Sequence, residues 1–340
     1  MAGRRQHTIP RFILKGFQSR LNGDEVFVWL YRRGSKAVET NIKNVGTDRD
    51  FYGKPGQGAL DDQITGLEES YSTMLDMLRS QTKSGPVCDA QGIPNLIAHL
   101  STRTRFLRQS MEDSFGFLLE HLCARLANKQ TLADILRGPL AGKQLLDLLT
   151  SRGLSTKQAH EALPLLQPLL PSAVEAAVPN LAEYVETFWK FAQDKYPEFV
   201  RNAHITALAA HPALSKRAEL YRAFNWQILM AETPLILGDT VCLFEANGER
   251  RFKPLDDADE TCRIFLPVSA NRVLVGTPHR ARPKVDLSRL NRAVARCSYE
   301  FFVSSVELGL DSSFPSSIGK WSGILAEDEL RAICDRLGLE

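Results

Sequence analysis

The chain has 340 residues, 44% of them hydrophobic and 24% charged. That is too long for a small disulfide-held module, and the composition is that of an ordinary globular protein with room for a sizeable core. The formal net charge is only +2, so the average says little about partners, but its distribution says more: residues 1–60 carry eleven Lys/Arg against five Asp/Glu, and residues 271–300 carry seven against two. Such separated charge steers an anionic ligand, although a solvated basic face has the same signature.

In chain order, Pro10 marks a turn before the apolar segment Phe12, Ile13, Leu14 and Phe17. Asn22-Gly23-Asp24 turns the chain into EVFVWLYRR, rich in β-branched and aromatic residues, and Arg33-Gly34-Ser35 turns it into KAVETNIKNV. These read as an N-terminal hairpin over 20–45. DRDFYGKPGQG is a polar loop, and its glycine-rich part, residues 53–58, is a weak phosphate cradle. From Leu60 the pattern is helical, with Ile64, Leu67, Tyr71, Met74, Leu75 and Leu78 on one face. A second helix is expected from about 93 to 126, and shorter ones over 134–149 and 157–166. Pro164, Pro168, Pro171 and Pro179 are expected in first turns or connectors. A further helix opens at VPNLAEYVETFWKFAQDKY. After about Asn225 short strands follow, and 286–305 reads as helix. FPSSIGKWSG reads as loop, and AEDELRAICDRLG as a capped C-terminal helix. The expected architecture is α+β: a helix-rich core with one small mixed sheet built from the N-terminal hairpin and strands of the C-terminal half. A single domain over 1–305 is expected, with a helical middle at 60–222, a β-containing part at 226–280 and a C-terminal loop and helix at 306–340.

Six cysteines occur, none two residues from another, so no zinc ribbon or thioredoxin-like pair is present. The N-terminus has charge but no apolar signal region, and no apolar run approaches the roughly 18 residues that span a bilayer. Reduced thiols in the cytoplasm and no membrane partner are the expectation. Walker-type, nucleophile-elbow, kinase and His-Glu-x-x-His patterns are all absent.

The segment from His7 through Pro10, Leu14 and Phe17 resembles the opening signature, His-x-x-Pro-x-x-Tyr-Leu-x-x-Phe, of a bacterial family of unknown function numbered 4238. Similar in order along residues 6–305 are Val28-Trp29-Leu30-Tyr31, Asp50-Phe51-Tyr52, Leu67-Glu68, Thr102-Arg103-Thr104, Leu237-Gly238-Asp239-Thr240 and Phe265-Leu266-Pro267-Val268. Ile13 replaces the family's aromatic residue, and the segment around Asp239 lacks its usual Ser and Pro. The resemblance implies no activity, so the chemistry has to come from the residues.

Four residues are the catalytic candidates: His7, Glu68, Arg103 and Asp239. At 100° per residue Glu68 lies about 40° from Ile64, inside the apolar arc, where a carboxylate has to be paired or neutralised. It is either an acid/base group with a raised pKa or half of a structural ion pair. Arg103 falls about 20° from Leu96 on its helix and needs carboxylate or phosphate oxygens. Arg103 pairs with Glu68, or both line one polar pocket. His7 is a general base, a ligand or a structural hydrogen-bonding residue. Asp239 ends the buried run Leu235-Ile236-Leu237 and serves chemistry or a turn.

Arg11, Arg32, Arg33 and Arg105 are candidates for phosphate or nucleic acid, with Arg32-Arg33 beside Tyr31 and Trp29 suited to a phosphate next to a stacked base. Asp48 and Asp50 alternate around Arg49 in an extended loop, so both carboxylates are expected on one side, as metal ligands or turn formers. A mixed site of His7, Asp50, Glu68 and Asp239 would favour a hard cation such as magnesium. The resulting expectation is a nucleic-acid-directed hydrolase, a metal-assisted nuclease or phosphodiesterase acting on RNA or DNA in phage defence or as a toxin. The alternatives are a non-catalytic binding or regulatory module with an operon-encoded protein partner, and an enzyme acting on a nucleotide.

Overall fold

The computed structural model describes residues 5–53, 59–137, 139–209, 212–246, 252–255, 261–278, 285–309 and 313–336. The chain divides into two compact units, residues 1–111 with 200–326, and residues 112–199 with 327–340. The class is α+β.

The first unit opens with β1 (Arg5–His7), the short helix α1 (Arg11–Leu14) and a 3-10 turn ending at Phe17. There follow β2 (Arg20–Asn22), β3 (Glu25–Arg32), β4 (Val38–Asn41) and β5 (Thr47–Arg49). The hairpin forms as its turns require: Val26 and Val28 of β3 are buried in alternation, Tyr31 is buried on the opposite face, and Val28 pairs with Thr40. Next come α2 (Ala59–Ser80), β6 (Gly85–Pro86), α3 (Ile93–Thr102) and the start of α4 (Arg105–Ala127). The expected stripe is realised on α2, where Ile64, Tyr71, Leu75 and Leu78 are buried.

The second helix is not continuous over 93–126. It stops at Arg103 (φ −89°, ψ 5°), and the Thr104 hydroxyl accepts the Leu107 amide at 3.3 Å, capping the new helix α4.

The second unit holds α5 (Lys129–Arg137), α6 (Pro139–Ser151), α7 (Thr156–Leu166) and most of α8 (Leu170–Ala209). The helix expected over 134–149 is therefore two helices, while α7 begins on a Ser155/Gln158 capping box. Pro168 and Pro171 stand at the starts of a 3-10 turn and of α8 as expected. Pro164 and Pro179 do not: they lie inside α7 and α8, as does Pro197, each removing one helical hydrogen-bond donor. Leu132, Val174, Val178 and Ala182 form this unit's buried cluster.

The first unit resumes through α9 (Pro212–Tyr221), β7 (Asn225–Met230), β8 (Ile236–Gly238), β9 (Leu243–Ala246) and β10 (Phe252–Lys253). It continues with β11 (Thr261–Ser269), β12 (Arg272–Thr277), α10 (Leu287–Cys297), β13 (Phe301–Ser304) and α11 (Phe314–Ser317). The helix α12 (Glu327–Arg336) closes the chain's described part. Residues 301–304 are thus strand where helix was expected. Their Phe-Phe-Val-Ser run is buried throughout, between β3 and β8, and Tyr31 stacks on Phe302 with ring centroids 4.9 Å apart. The segment 314–317, expected as loop, is a short helix.

The single mixed sheet is replaced, among the described residues, by antiparallel sheets. One has the order β10-β9-β11-β12-β7-β6, another β2-β3-β13-β8 with β4 against β3, and a small one pairs β1 with β5. The second sheet does draw on both ends of the chain.

Two glycines fix how the N-terminal segment sits. A side chain on Gly16 would meet the Val268 carbonyl at 2.3 Å, and Gly46 (φ 58°) lies against Ile9. Arg79 of α2 braces the same segment, donating to the carbonyls of Val268 (2.8 Å), Phe12 (2.9 Å) and Ile13 (3.1 Å). It thereby satisfies the C-terminal carbonyls of α1.

Candidate functional site

The site is built where β1 passes α2 and the end of α3. Arg103 sits at the break between α3 and α4 and is 1% exposed. A guanidinium there requires acceptors on every nitrogen. Its Nε donates to the Tyr52 hydroxyl at 3.0 Å, and Nη2 donates to the His7 carbonyl at 2.7 Å. Its Nη1 donates to Glu68 Oε1 and to His99 Nε2, the latter at 3.1 Å. Tyr52 in turn donates to the His7 carbonyl at 3.1 Å, and its backbone amide donates to Gln6 Oε1 at 2.6 Å. The side chain of Glu68 is 27% exposed, so its carboxylate is at the rim of the apolar stripe rather than within it.

Beside this network lies a cavity of about 220 Å³, whose wall includes His7, Arg11, Asp61, Glu68 and Arg103 as well as Arg5. An adjoining cavity of about 410 Å³ shares Arg11, Thr65 and Glu68 and adds Lys15 and Lys43. His7 bonds to the Ile42 backbone, while its Nε2 is buried and has no hydrogen-bond partner among the described residues. Burial above all, then the charges of Arg11 and Arg103, lowers its pKa to about 4, so the ring is neutral at ordinary pH. Burial, then the neighbouring Asp62, raises the pKa of Asp61 above the usual carboxylate value.

Asp239 is elsewhere. It lines a separate cavity of about 130 Å³ with Arg32, Arg105, Glu300 and Phe301. Its carboxylate accepts the backbone amides of Tyr299 (2.6 Å), Glu300 (2.6 Å) and Phe301 (3.1 Å). Burial lifts its pKa to about 6 against the pull of those amides. This is the work of a turn-forming residue, which leads the chain from α10 into β13.

The structure therefore joins His7, Arg11, Glu68 and Arg103 and sets Asp239 apart from them. Arg32 and Arg105 belong with Asp239: Arg105 lies 3.3 Å from Glu300 and 3.7 Å from Asp48, and Arg32 lies 3.8 Å from Glu300. Arg33 is exposed and lines none of these three cavities. Tyr31 is buried, so it offers no stacking face beside Arg32 and Arg33.

A positive φ of 54° at Asp50 ends the extended alternation, and Asp48 is engaged by Arg105. Among the described residues no group of three or more His, Cys, Asp or Glu side chains could hold a metal ion. The expected site of His7, Asp50, Glu68 and Asp239 is thus not assembled. Of the glycine-rich stretch 53–58, residues 54–58 lie outside the described residues.

Several site residues escaped the sequence reading. Gln6, Asp61 and His99 carry no pattern of their own, and Tyr52 was visible only as part of an aromatic turn. That turn is held by cations: Arg108 donates to the Phe51 carbonyl at 2.9 Å and lies 3.6 Å over its ring, and Arg201 donates to the Asp50 carbonyl at 2.7 Å. His204 completes the clamp. It accepts from Arg108 at 3.1 Å and donates to the Thr102 carbonyl at 2.8 Å.

No helix among the described residues is long and apolar enough to cross a membrane. The six cysteines are free thiols. Comparison with curated proteins and with solved structures returns no match. The model of one protein family, the protein of unknown function DUF4238, matches residues 5–306, which include every element of the His7–Arg103 network, and the chain belongs to that family.

Proposed function

We propose that this chain cleaves RNA phosphodiesters by acid–base catalysis in the His7 cavity. One observation carries the reading: a neutral histidine whose Nε2 has no partner among the described residues shares a cavity wall with two carboxylates, Asp61 and Glu68, and three arginines, Arg5, Arg11 and Arg103. RNA contains its own nucleophile, the 2′-hydroxyl, so proton transfer and neutralisation of phosphate charge suffice for cleavage.

In this reading RNA entering the cavity uncovers the buried His7 Nε2, which takes the 2′-hydroxyl proton as that oxygen attacks phosphorus. The bond to the 5′-oxygen breaks, and Asp61 supplies its proton, leaving a 2′,3′-cyclic phosphate and a free 5′-hydroxyl. Arg5 and Arg11 neutralise the non-bridging oxygens. Arg103 is a positioning residue that holds the His7 backbone, and Glu68 holds Arg103.

The test is incubation of the purified chain with labelled single-stranded RNA and DNA, in magnesium and in EDTA. The expected outcome is RNA cleavage to cyclic-phosphate ends under both conditions, reduced about 100-fold or more in His7→Gln. Cleavage that requires magnesium would point to a metal-assisted nuclease instead, and intact RNA in every arm would sink the reading. RNA retained without cleavage would favour a binding module. That alternative draws on Arg103, all three of whose nitrogens are occupied by protein partners. Growth arrest on expression, relieved by His7→Gln, would extend the reading to a toxin or defence role.

A further inference from the structure

The second unit has an apolar surface that the cavity chemistry does not use. Along α8, Leu181, Tyr184, Phe188 and Phe191 follow at spacings of three, four and three residues. At 100° per residue they fall within an arc of about 80°. The same helix buries a different face, through Val174, Val178, Ala182 and Ala192. The stripe is therefore surplus to the unit's own core. Its exposure is large for aromatic groups: Tyr184 79%, Phe188 52% and Phe191 62%. Phe199, on the same arc, extends it and touches Phe115 with ring centroids 6.1 Å apart. Lys195 is the one charged residue on the arc between Leu181 and Phe199.

The spacing is that of a coiled-coil seam, in which knobs at three- and four-residue intervals meet a like helix. The area suits a second copy. At roughly 150–250 Å² per aromatic side chain, the exposed parts of this stripe come to about 500 Å² per chain. Two such faces together remove about 1,000 Å², the lower edge of a specific interface. A two-fold interface is also satisfied by one patch used twice.

We infer that two copies of this chain associate through the α8 stripe, with the helices antiparallel. Antiparallel packing is chosen by Lys195, because a parallel pair in register would set the two Lys195 ammonium groups against each other in the seam. It also brings the Tyr184 end of one stripe to the Phe191 end of the other.

The experiment is sedimentation equilibrium of the full chain across about 1–100 μM, a range suited to an interface of this size. A dimer is expected, weakened at least tenfold in Phe188→Glu/Phe191→Glu. A monomer throughout would overturn the inference, as would a dimer of unchanged affinity in the double variant. Should that variant fail to fold, p-benzoylphenylalanine at position 188 provides an independent readout. Photolysis is expected to give a covalent dimer cross-linked to residues 181–199 of the second copy. Cross-links elsewhere, or none, would refute the seam.

Discussion

Arg103 donates from Nη2 to the backbone carbonyl of His7 at 2.7 Å, so a residue at a helix break fixes the strand that carries the candidate base. The same guanidinium bonds Glu68, Tyr52 and His99. A point charge on a flexible stem does not reproduce that fork. Arg103→Lys is expected to lose about 3–5 kcal/mol of unfolding free energy, the cost of breaking a buried pair. Glu68→Gln should cost less, about 1–3 kcal/mol, because its carboxylate is partly solvated. Urea unfolding of both single variants and the double should show coupling above about 1 kcal/mol, because the residues share one network. Additive effects would contradict the geometry.

Activity against RNA should follow the ionisation of the cavity. A base acts when unprotonated, so the rate should rise as pH passes about 4, where His7 loses its proton. An acid acts when protonated, so the rate should fall again as Asp61, raised by burial, ionises. The expected profile is a bell whose rising limb lies near pH 4. Asp61→Asn should remove its alkaline limb, and a profile unchanged by that substitution would displace Asp61 from the role.

Stability should fall on acidification in a way that traces to His204. Burial, then Arg108, lowers its pKa to about 4, against an ordinary value of 6.5. Between these values the unfolded chain binds a proton that the folded chain does not. The contribution is therefore intact above about pH 6.5 and is lost as pH falls toward 4. His7 has the same sign. Asp239, raised to about 6, has the opposite one, since the folded chain keeps its proton to a higher pH. Denaturant midpoints measured from pH 7 to pH 4 should fall less steeply in His204→Gln than in the parent.

Asp239→Asn is expected to cost about 1–3 kcal/mol, because an amide turned toward the Glu300 and Phe301 amides leaves buried donors unsatisfied. Its effect on RNA cleavage at a temperature where the variant is folded should be small, as it lies outside the His7 cavity. A large loss of activity without loss of stability would assign Asp239 to chemistry after all.

Gly16→Ala tests the seating of α1. Its new methyl would stand 2.3 Å from the Val268 carbonyl and 2.7 Å from Arg79, so the segment has to move. About 1–3 kcal/mol of destabilisation is expected, the range for overpacking, read as a lowered thermal midpoint.

Local patterns were legible in the chain itself. The apolar spacing from Ile64 to Leu78 marked the α2 face, and β-branched and aromatic runs marked β3, β11 and β12. The inward Arg103 and its partner Glu68 were also legible, because a charge on an apolar stripe demands a counter-charge. The fate of 301–304 was not. A buried Phe-Phe-Val-Ser run following a helix fits either state, and only its pairing with β3 and β8, both distant in sequence, makes it a strand.

What the amino-acid sequence determined alone was therefore periodicity, turns and the need for an ion pair, all set by neighbours within a few residues. Which acids share a cavity was decided by tertiary structure. Asp61 reaches the His7 wall and Asp239 does not, because cavity walls are assembled from elements distant in sequence. No local rule records those distances: the pairing of β1 with β5, the break at Arg103 and the close approach at Gly16 exist only once the chain has packed.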